Sequence, residues 1–269
     1  MAPGIRLLLV DGLNLIRRVY AAQPGPDGAE RAREGRDSSA RSLQRALREV
    51  APTHAVVVLE GPEPTWRHRL HPGYKEGHAP MPEALRAALP EFREAFAELG
   101  VSSFELPGVE ADDVIATLAV KVAAAGGEAI ILSTDRIFLQ LLSERVKVRD
   151  HFAKRFLDGD EVVQRFGVEA ERLLDLLALT GDANNAIPGV PGVGPKTAAK
   201  LLAAWDSLEA VLALAHEPAA SDGPSRLTPT LARKLIAHAD DARLARSLLA
   251  LRTDLDLGLN LRDLRCASP

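Results

Sequence analysis

Four short apolar segments alternate with stretches of helical periodicity, and this alternation constrains the fold more than any other feature of the sequence. The apolar segments have the length and composition of buried strands, and they cover residues 5–10, 54–59, 101–106 and 128–133. Helical spacing is found at residues 42–50, 82–99 and 112–125. Strands that alternate with helices pair in parallel through right-handed crossovers, so we predict an open, parallel α/β sheet.

The second half of the chain has the pattern of helices only. Segments 171–180, 195–205 and 230–251 are helical in spacing, and a turn rich in Gly and Pro separates the first two. We therefore predict an α/β domain of residues 1–158 followed by a small helical domain of residues 159–269. Residues 23–39 are predicted to form a loop or a disordered insert, and residues 216–229 a second polar loop.

Composition narrows the class of protein. With 269 residues, 46% of them hydrophobic, the chain can bury a full core, and its apolar runs are too short to cross a bilayer. No segment resembles a signal peptide, so we expect a cytoplasmic protein. The single cysteine, Cys266, excludes an internal disulfide and a cysteine-based zinc site. The net charge of −4 does not by itself indicate a nucleic-acid partner.

Acidic residues follow each of the four predicted strands. Asp11 follows the first, Glu60 the second and Asp135 the fourth, and the third leads into Glu110-Ala111-Asp112-Asp113. The carboxyl ends of parallel strands share one edge of a sheet, so these acids are expected to converge there. Carboxylates in close proximity repel one another unless a hard cation binds between them. We therefore predict a site for at most two Mg²⁺ ions, with Mn²⁺ as a substitute, of the kind that hydrolyses phosphodiesters.

Each of these acids, taken alone, also has an ordinary structural interpretation. Asp11 stands before a glycine and could be a turn acid or a helix cap. Glu60 could be an exposed turn residue, and Asp112 and Asp113 are typical of the first turn of a helix. Their shared placement at four strand ends favours the metal site over these alternatives.

Residues 187–197 read Ile-Pro-Gly-Val-Pro-Gly-Val-Gly-Pro-Lys-Thr and join two predicted helices. The glycines permit positive φ angles, and Pro195 suits the first position of the second helix. The amides near Gly192, Gly194 and Lys196 can then face a phosphate at a helix N-terminus. This is a helix-hairpin-helix signature, which binds nucleic-acid backbone without reading base sequence.

Basic and aromatic residues are interleaved after the second predicted strand. They are Trp66, Arg67, His68, Arg69, His71, Tyr74, Lys75 and His78. Such a segment suits a single-stranded or frayed nucleic-acid end, and Lys75 could stabilise the charge on a scissile phosphate. The alternative is a solvated loop in which Trp66 packs as core, and for Trp66 we prefer that alternative.

Taken together, these stretches resemble the 5′-nuclease (flap endonuclease) family, and above all its stand-alone bacterial members, which lack a polymerase domain. The shared motifs run in the family's order through most of the chain: Leu9-Val10-Asp11-Gly12, Trp66-Arg67-His68, Gly73-Tyr74-Lys75, Glu110-Ala111-Asp112-Asp113, Ser133-Thr134-Asp135 and residues 187–197. The resemblance implies a PIN-like α/β nuclease domain followed by a helical DNA-binding domain with a helix-three-turn-helix (H3TH) hairpin. It also implies Mg²⁺-dependent hydrolysis of DNA at junctions between single and double strands.

The resemblance assigns roles to individual residues. The ligands of a first Mg²⁺ would be Asp11, Glu110, Asp112 and Asp113, joined by Glu60. Tyr74 and Lys75 would orient the scissile phosphate, supported by Arg67. The duplex backbone would be contacted by Gly192, Val193, Gly194, Pro195, Lys196 and Thr197. A K⁺ ion in the hairpin would be held by the carbonyls of Leu179, Thr180, Pro188, Val190 and Val193.

The chain also departs from the family pattern. Glu60 replaces the usual Asp, and His78 stands where Arg is typical. Asp135-Arg136-Ile137 replaces an Asp-x-Asp motif, so one acid is missing there. A pair of acids expected beside the hairpin is Asp182 and Asn185, again one acid short. Asp135 and Asp182 are therefore what remains of a second metal position.

Three hypotheses follow from the sequence. The first is a structure-selective 5′ flap endonuclease, with 5′–3′ exonuclease activity left open, that acts as a monomer on DNA with 5′ flaps or strand junctions and not on a membrane. The second is a catalytically weak DNA-junction binding protein of the same fold, which the Ile137 and Asn185 replacements favour. The third is a PIN-type ribonuclease, against which the duplex-binding hairpin argues.

Overall fold

The computed structural model describes residues 4–61, 64–216 and 227–266, and its first compact unit is built on a six-stranded sheet. The strands are β1 (Arg6–Asp11), β2 (His54–Val58), β3 (Ser102–Phe104), β4 (Glu128–Leu132), β5 (Val146–Asp150) and β6 (Arg155–Leu157). Their order is β3-β2-β1-β4-β5-β6, and all neighbours are parallel except β5 and β6. The predicted parallel α/β sheet is confirmed, although β5 and β6 were not predicted.

The central strands are apolar except at their ends, because helices cover both faces of the sheet. Five residues of β1 and all five of β2 are buried, as expected of parallel strands that never face solvent. The pairing register sets Val10 opposite both Val57 and Leu132. The strand order reverses between β1 and β4, and such a reversal opens a crevice at the carboxyl ends of the two strands. Asp11 is the last residue of β1 and lies at this crevice.

The helices of the first half are α1 (Gly12–Ala22), α2 (Ala29–Val50), α3 (Trp66–Leu70), α4 (Glu83–Glu98) and α5 (Ala111–Ala124). The prediction of a loop or disordered insert over residues 23–39 is wrong from Ala29 onward, because α2 begins there. The helix-breaking residues are concentrated before Ala29, and the first turns of α2 bury Ala32, Gly35 and Ser39. Packing of this face stabilises a helix that composition alone did not indicate.

The second compact unit contains α6 (Gly159–Phe166), α7 (Ala170–Thr180), α8 (Pro195–Ala204), α9 (Leu208–Ala215), α10 (Pro229–Ala237) and α11 (Ala239–Leu249). Its core includes Leu176, Leu202, Val211 and Leu235. The helical character predicted over residues 230–251 is confirmed, but as two helices, because His238, at φ −119°, separates α10 from α11. Most of the predicted loop 216–229 lies outside the described residues.

The two units are not contiguous in sequence. The first takes the described parts of Met1–Trp66, Ala79–Leu157 and Leu251–Pro269, and the second takes Arg67–His78 and Asp158–Ala250. A compact unit is not the same as an independently folding domain, so the domain boundary at Asp158 stays a prediction. No helix among the described residues has both the length and the apolar character needed to cross a membrane.

Candidate active site

Asp11 is a buried acid at the carboxyl end of β1. It is 6% exposed and caps α1, because its Oδ1 accepts a hydrogen bond from the amide of Asn14 at 3.1 Å. Its Oδ2 accepts a hydrogen bond from the hydroxyl of Ser133 at 2.8 Å. The cap predicted as an alternative is therefore real, and it holds the carboxylate in one orientation at the end of β1.

Ser133 and Asn14 connect the ends of β1 and β4. The Ser133 hydroxyl, which donates to Asp11, also accepts the amide of Asp135 at 3.0 Å. The Asn14 Oδ1 accepts both the amide of Thr134, at 3.1 Å, and its hydroxyl, at 2.9 Å. Asp135 itself is exposed, and its Oδ1 accepts the amide of Ile137 at 2.8 Å. Hydrogen bonds therefore connect the ends of β1 and β4 at the crevice between them.

The electrostatics of Asp11 show that other acids lie near it. Burial raises the pKa of Asp11 from 3.8 to about 6, the bonds from Ser133 and Asn14 lower it, and the charges of Asp135 and Glu60 raise it. The acids that follow β1, β2 and β4 thus act on one another, as predicted from their positions. A cation at this edge would reverse the balance, because it favours the ionised carboxylates that burial penalises.

Glu110, Asp112 and Asp113 lie at the start of α5, and two of them are held by bonds that sequence reasoning missed. The hydroxyl of Thr65 donates to Glu110 Oε1 at 2.9 Å, and Glu110 is 1% exposed. Asp113 is fully buried; its Oδ2 accepts Trp66 Nε1 at 2.8 Å and its Oδ1 accepts the amide of Arg252 at 3.0 Å. Asp112 is half-buried.

The acids of the first unit are therefore brought to one edge but are not arranged as a finished metal site. Among the residues that the structure describes, no three Asp, Glu, His or Cys side chains are grouped closely enough to hold an ion. Asp113 is the least accessible of the predicted ligands, since both of its oxygens accept bonds from the protein. The Mg²⁺ ligand set stays a prediction.

The segment with Tyr74 and Lys75 belongs to the second unit, where it contacts the turn after α7. The amide of Lys75 donates to the carbonyl of Asn185 at 2.9 Å, and His71 and His78 form hydrogen bonds with the carbonyls of Ala186 and Asn184. Lys75 has a φ of +58°, which is strained for a residue other than glycine. Its amine lies 5.3 Å from the centre of the Tyr74 ring. The turn thus fixes the backbone from which Lys75 projects.

Arg67 is buried, with 3% of its surface exposed. Its Nε donates to the carbonyl of Leu248 at 2.7 Å, and its Nη2 donates to that of Ala250 at 3.1 Å. These bonds tie α3 to the end of α11. A supporting role for Arg67 at the scissile phosphate stays a prediction, and its bonds indicate in addition that it holds the fold.

Asp182 and Asn185 form a hydrogen-bonded turn in the second unit. Asp182 Oδ1 accepts the amides of Asn184, at 3.0 Å, and Asn185, at 3.4 Å, and its Oδ2 accepts the Asn185 side-chain amide at 2.6 Å. The backbones of Asp182 and Ile187 also pair with each other. At position 185, where the family resemblance implies an acid, this chain has an amide. The Asn185 side chain donates a hydrogen bond to the Asp182 carboxylate.

The glycine-rich hairpin between α7 and α8 has the exposed backbone that phosphate binding requires. Gly192, Gly194, Pro195 and Lys196 are exposed, whereas Val193 is buried. Pro195 occupies the first turn of α8, so the amides next to it have no acceptor within the helix. Gly181 and Gly189 pack so closely that a Cβ on Gly189 would lie 2.3 Å from the backbone of Thr180. Glycine is needed there for the hairpin to close.

Two of the carbonyls predicted for K⁺ already accept a backbone bond. Leu179 accepts the amide of Val190, and Val190 accepts the amide of Val193, both at 2.9 Å. Each carbonyl retains a second lone pair. The K⁺ site stays a prediction.

Lys234 is a candidate contact that sequence reasoning missed. It lies on α10, and a Cβ built on Gly192 would meet its Nζ at 2.6 Å, so the amine lies against the hairpin. The side chain is exposed. No sequence signal links residues 192 and 234, because the contact depends on how α10 packs in the second unit.

Family models and curated relatives match nearly the whole length of the chain. A family model described as "5'-3' exonuclease, N-terminal resolvase-like domain" matches residues 6–167, and one described as "5'-3' exonuclease, C-terminal SAM fold" matches residues 168–269. Flap endonuclease Xni of Shewanella oneidensis is 44% identical over 264 residues, which are 98% of this chain and 96% of the relative. The protein of the same name from Vibrio campbellii is 40% identical over 268 residues, 99% of this chain and 98% of the relative.

Solved structures share the fold at low sequence identity. T5 5'-exonuclease with bound divalent zinc ions superposes with a TM-score of 0.73 and 20% identity, covering 91% of this chain and 89% of that one. The catalytic core of Rad2 in complex with DNA substrate gives a TM-score of 0.61 at 15% identity, covering 94% and 81%. At such identities the likeness shows the fold, which is that of a resolvase-like α/β unit followed by a helical one.

Proposed function

The chain belongs to the 5′-3′ exonuclease family, and from that premise we propose that it is a structure-selective flap endonuclease that hydrolyses DNA with Mg²⁺. The substrates would be 5′ flaps and other junctions between single and double strands. Its relatives of 40–44% identity are named flap endonucleases, and they align over almost their whole length. We further propose that it acts as a monomer in the cytoplasm and that it can also degrade DNA from a 5′ end.

The observation that carries this proposal is the braced acidic crevice at the ends of β1 and β4. Asp11 is buried there, is held by Ser133 and Asn14, and is acted on by the charges of Asp135 and Glu60. A protein that merely folds gains little from keeping a buried carboxylate within reach of two other negative charges. A hard divalent cation suits this donor set, since it binds carboxylate oxygens and retains water in its other positions.

We propose that the first ion is held by Asp11, Glu60, Glu110, Asp112 and Asp113, and a weaker second one by Asp135 and Asp182. A solved structure of T5 5'-exonuclease contains bound divalent zinc ions, which supports a divalent metal in this fold. When bound, such ions supply a nucleophilic hydroxide and stabilise the departing oxygen. Thr65 orients Glu110, and Trp66 and the Arg252 amide orient Asp113.

Lys75 and Tyr74 are proposed to act on the scissile phosphate. The Lys75 amine can stabilise the negative charge that develops on the phosphate oxygens during hydrolysis. The Asn185 carbonyl holds the Lys75 backbone, and the Tyr74 ring lies beside the amine. Arg67 would support them by keeping α3 attached to the end of α11.

The hairpin is proposed to bind the duplex through residues 192–197. Its exposed amides and the Lys196 amine face solvent at the N-terminus of α8, where an anion is favoured by the helix dipole. A K⁺ ion held by the carbonyls of Leu179, Thr180, Pro188, Val190 and Val193 would bridge the hairpin to a phosphate. Binding of this kind is independent of base sequence, as selection by DNA structure requires.

The test is cleavage of a labelled 5′-flap DNA with Mg²⁺ by the wild type, by Asp112→Ala and by a control. Asp160→Ala is the matched control, because Asp160 is an exposed first-turn acid of α6. We expect the wild type and Asp160→Ala to cut the flap, and Asp112→Ala to bind the DNA without cutting it. If all three bind the flap and leave it intact, the enzyme proposal fails.

That last outcome would instead support the second candidate, a catalytically weak junction-binding protein. The observation in its favour is that both carboxylate oxygens of Asp182 already accept hydrogen bonds from Asn184 and Asn185. A protein that has lost its second metal position but kept an exposed hairpin would bind junctions and cut them slowly.

A further inference from the structure

His151, directly after β5, is a buried histidine whose hydrogen-bonding groups are unused. It is 5% exposed, and neither Nδ1 nor Nε2 has a hydrogen-bond partner. Buried polar groups in folded proteins are almost always paired, because an unpaired group forgoes its bonds to water. An unpaired pair of ring nitrogens therefore indicates a position where a ligand supplies the missing partner.

A cavity of about 220 Å³ lies beside this ring. The C-terminal end of α1 forms one wall of it. The other walls come from α2 and from the turn between β5 and β6, through Ser38, Ser42, Arg45, His151, Phe152 and Lys154. Arg45, Lys154 and the two serines thus contribute polar groups to a largely apolar space, which is large enough for a phosphate group and part of a sugar.

The cavity is electrically positive. Burial lowers the pKa of His151 to about 4; the charge of Asp150 opposes this shift, and the charges of Arg18 and Arg45 contribute to it. The carboxylate of Asp150 is directed to its own turn, where its Oδ1 accepts the amides of Phe152 and Ala153. The imidazole is therefore neutral near pH 7 and carries one N–H donor, which is buried in the protein without ligand.

The hydroxyls of α2 add further donors. Ser42 Oγ accepts a bond from Arg45 at 3.3 Å, and Ser38 Oγ accepts one from Arg41 at 2.8 Å. A hydroxyl that accepts such a bond can still turn its own proton to a ligand. Arginine, lysine, hydroxyl and imidazole donors around one space are the groups that bind phosphate oxygens.

An exposed aromatic ring stands at the edge of the same cavity. Phe152 is 41% exposed, and Arg18 lies over its ring at 5.1 Å. Phe156, on β6, is 45% exposed and carries Arg149 over its ring at 5.2 Å. Aromatic faces next to cations bind single-stranded nucleic acid, since bases stack on the ring while the cations hold the backbone.

We propose that this cavity binds the phosphate of a nucleotide in a single-stranded segment of DNA, with its base stacked on Phe152. The phosphate accepts bonds from Arg45 and Lys154, and from His151 after its buried ring turns toward the cavity. That the nucleotide is part of a DNA strand rests on the proposed function; the donors around the cavity recognise the phosphate and the ring recognises the base.

The position of the cavity suits a second contact with the strand that is cut. β1, β4 and β5 are neighbours, and Leu132 is in register with both Val10 and Arg149. Adjacent strands lie about 4.8 Å apart, so the end of β5 is about 10 Å along the same sheet edge from the end of β1. A strand with a phosphate near Asp11 can therefore continue along this edge toward His151.

The test measures binding of a fluorescein-labelled twelve-residue oligothymidylate to the full chain by anisotropy, in EDTA and across a salt series. The variants are Arg45→Gln, Lys154→Asn and Phe152→Ala, and the matched control is Arg48→Gln, an exposed arginine of the same helix outside the cavity. Asn suits position 154 because Lys154 has a φ of +56°. Thermal unfolding of each variant checks that it is folded.

We expect Arg45→Gln and Lys154→Asn to weaken binding several-fold and each to reduce the salt slope by about 0.7, the value for one phosphate contact on a single strand. Phe152→Ala should weaken binding by about tenfold through lost stacking. Arg48→Gln should change affinity less than twofold. If the three cavity variants bind like Arg48→Gln, the proposal is overturned.

Competition with thymidine monophosphate and with inorganic phosphate separates a DNA strand from a free ligand. The proposal expects both small molecules to compete only weakly with the oligonucleotide. If thymidine monophosphate binds as tightly as the oligonucleotide, and Arg45→Gln abolishes both, the occupant is a free nucleotide and the strand assignment is wrong. Because EDTA prevents cleavage, this result stands or falls separately from the flap assay.

Discussion

The amide of Lys75 donates a hydrogen bond to the carbonyl of Asn185 at 2.9 Å, which joins two motifs that lie far apart in the sequence. The side chain of Asn185 in turn donates to Asp182. The family resemblance implies that one acid of a metal position is missing from the turn at Asp182 and Asn185. The same turn supports the backbone of Lys75, the proposed phosphate-binding lysine. Because the turn has this second role, Asp182→Asn and Asp182→Ala should differ in their effect on stability.

Asp182→Asn should leave the turn largely intact, because an amide oxygen still accepts the bonds of Asn184 and Asn185. Asp182→Ala removes these acceptors and should lower the free energy of unfolding by about 1–2 kcal/mol. Chemical denaturation compares the two variants. Flap cleavage is then measured for Asp182→Asn: a large loss of rate in a fully stable variant identifies Asp182 as a metal ligand, and an unchanged rate limits it to the turn.

Asp11→Asn should stabilise the protein in the absence of divalent ions while removing its activity. The folded-state pKa of Asp11 is about 6, above its usual 3.8, so the folded protein holds this proton more tightly and stability falls as pH rises through that window. At pH 7 the variant no longer has the buried charge, and a gain of about 3 kcal/mol is expected.

The measurement for Asp11→Asn is urea unfolding at pH 7 in EDTA and again in Mg²⁺. Mg²⁺ should raise the unfolding midpoint of the wild type and not that of the variant, because an ion that binds only the folded state stabilises it. A variant that is less stable than the wild type in EDTA would show that the carboxylate serves the fold instead.

His151 should make the protein sensitive to mild acid. Its folded-state pKa is about 4, below the usual 6.5, so the stability that the neutral ring contributes is present above pH 6.5 and is lost as pH falls toward 4. Between pH 7 and pH 5 the loss is about 2 kcal/mol. His151→Phe should lack this component in urea unfolding without DNA or phosphate; an equal acid sensitivity in both proteins would contradict the burial of the ring.

Lys196 and Lys234 should contribute to duplex binding in the same way. Each places an amine at the hairpin, so replacing either by Ala should weaken binding to double-stranded DNA and reduce the salt slope by about 0.9. Lys147→Ala is the control, because Lys147 is paired with Glu128 at 2.5 Å in the first unit. A salt slope for Lys234→Ala equal to that of the control would remove Lys234 from the interface.

The sequence predicted the strands and acids well because both depend on local patterns. Buried parallel strands are short apolar runs, and Asp11, Glu60 and Asp135 lie at the carboxyl ends of three of them or within three residues of those ends. The strand β5 was missed although Val146 and Val148 alternate with polar residues, because the segment is short and its apolar face is only two residues wide. The start of α2 was missed because the residues just before it, 23–28, are rich in Gly and Pro and indicated a loop.

The partners of the acids were beyond prediction for a different reason. Ser133 bonds Asp11 across 122 residues, Trp66 bonds Asp113 across 47, and Arg252 bonds Asp113 across 139. Such contacts depend on strand register and on where a distant segment packs, neither of which leaves a local pattern. They are nevertheless the contacts that orient the carboxylates.

The most direct test of the central claim counts the Mn²⁺ ions bound to the protein by electron paramagnetic resonance, with an uncleavable 5′-flap DNA present. The account predicts at least one tightly bound ion in the wild type, with its loss in Asp11→Asn and its retention in the control Asp160→Ala. Equal numbers of bound ions in the wild type and in Asp11→Asn would contradict a metal site at the ends of β1 and β4.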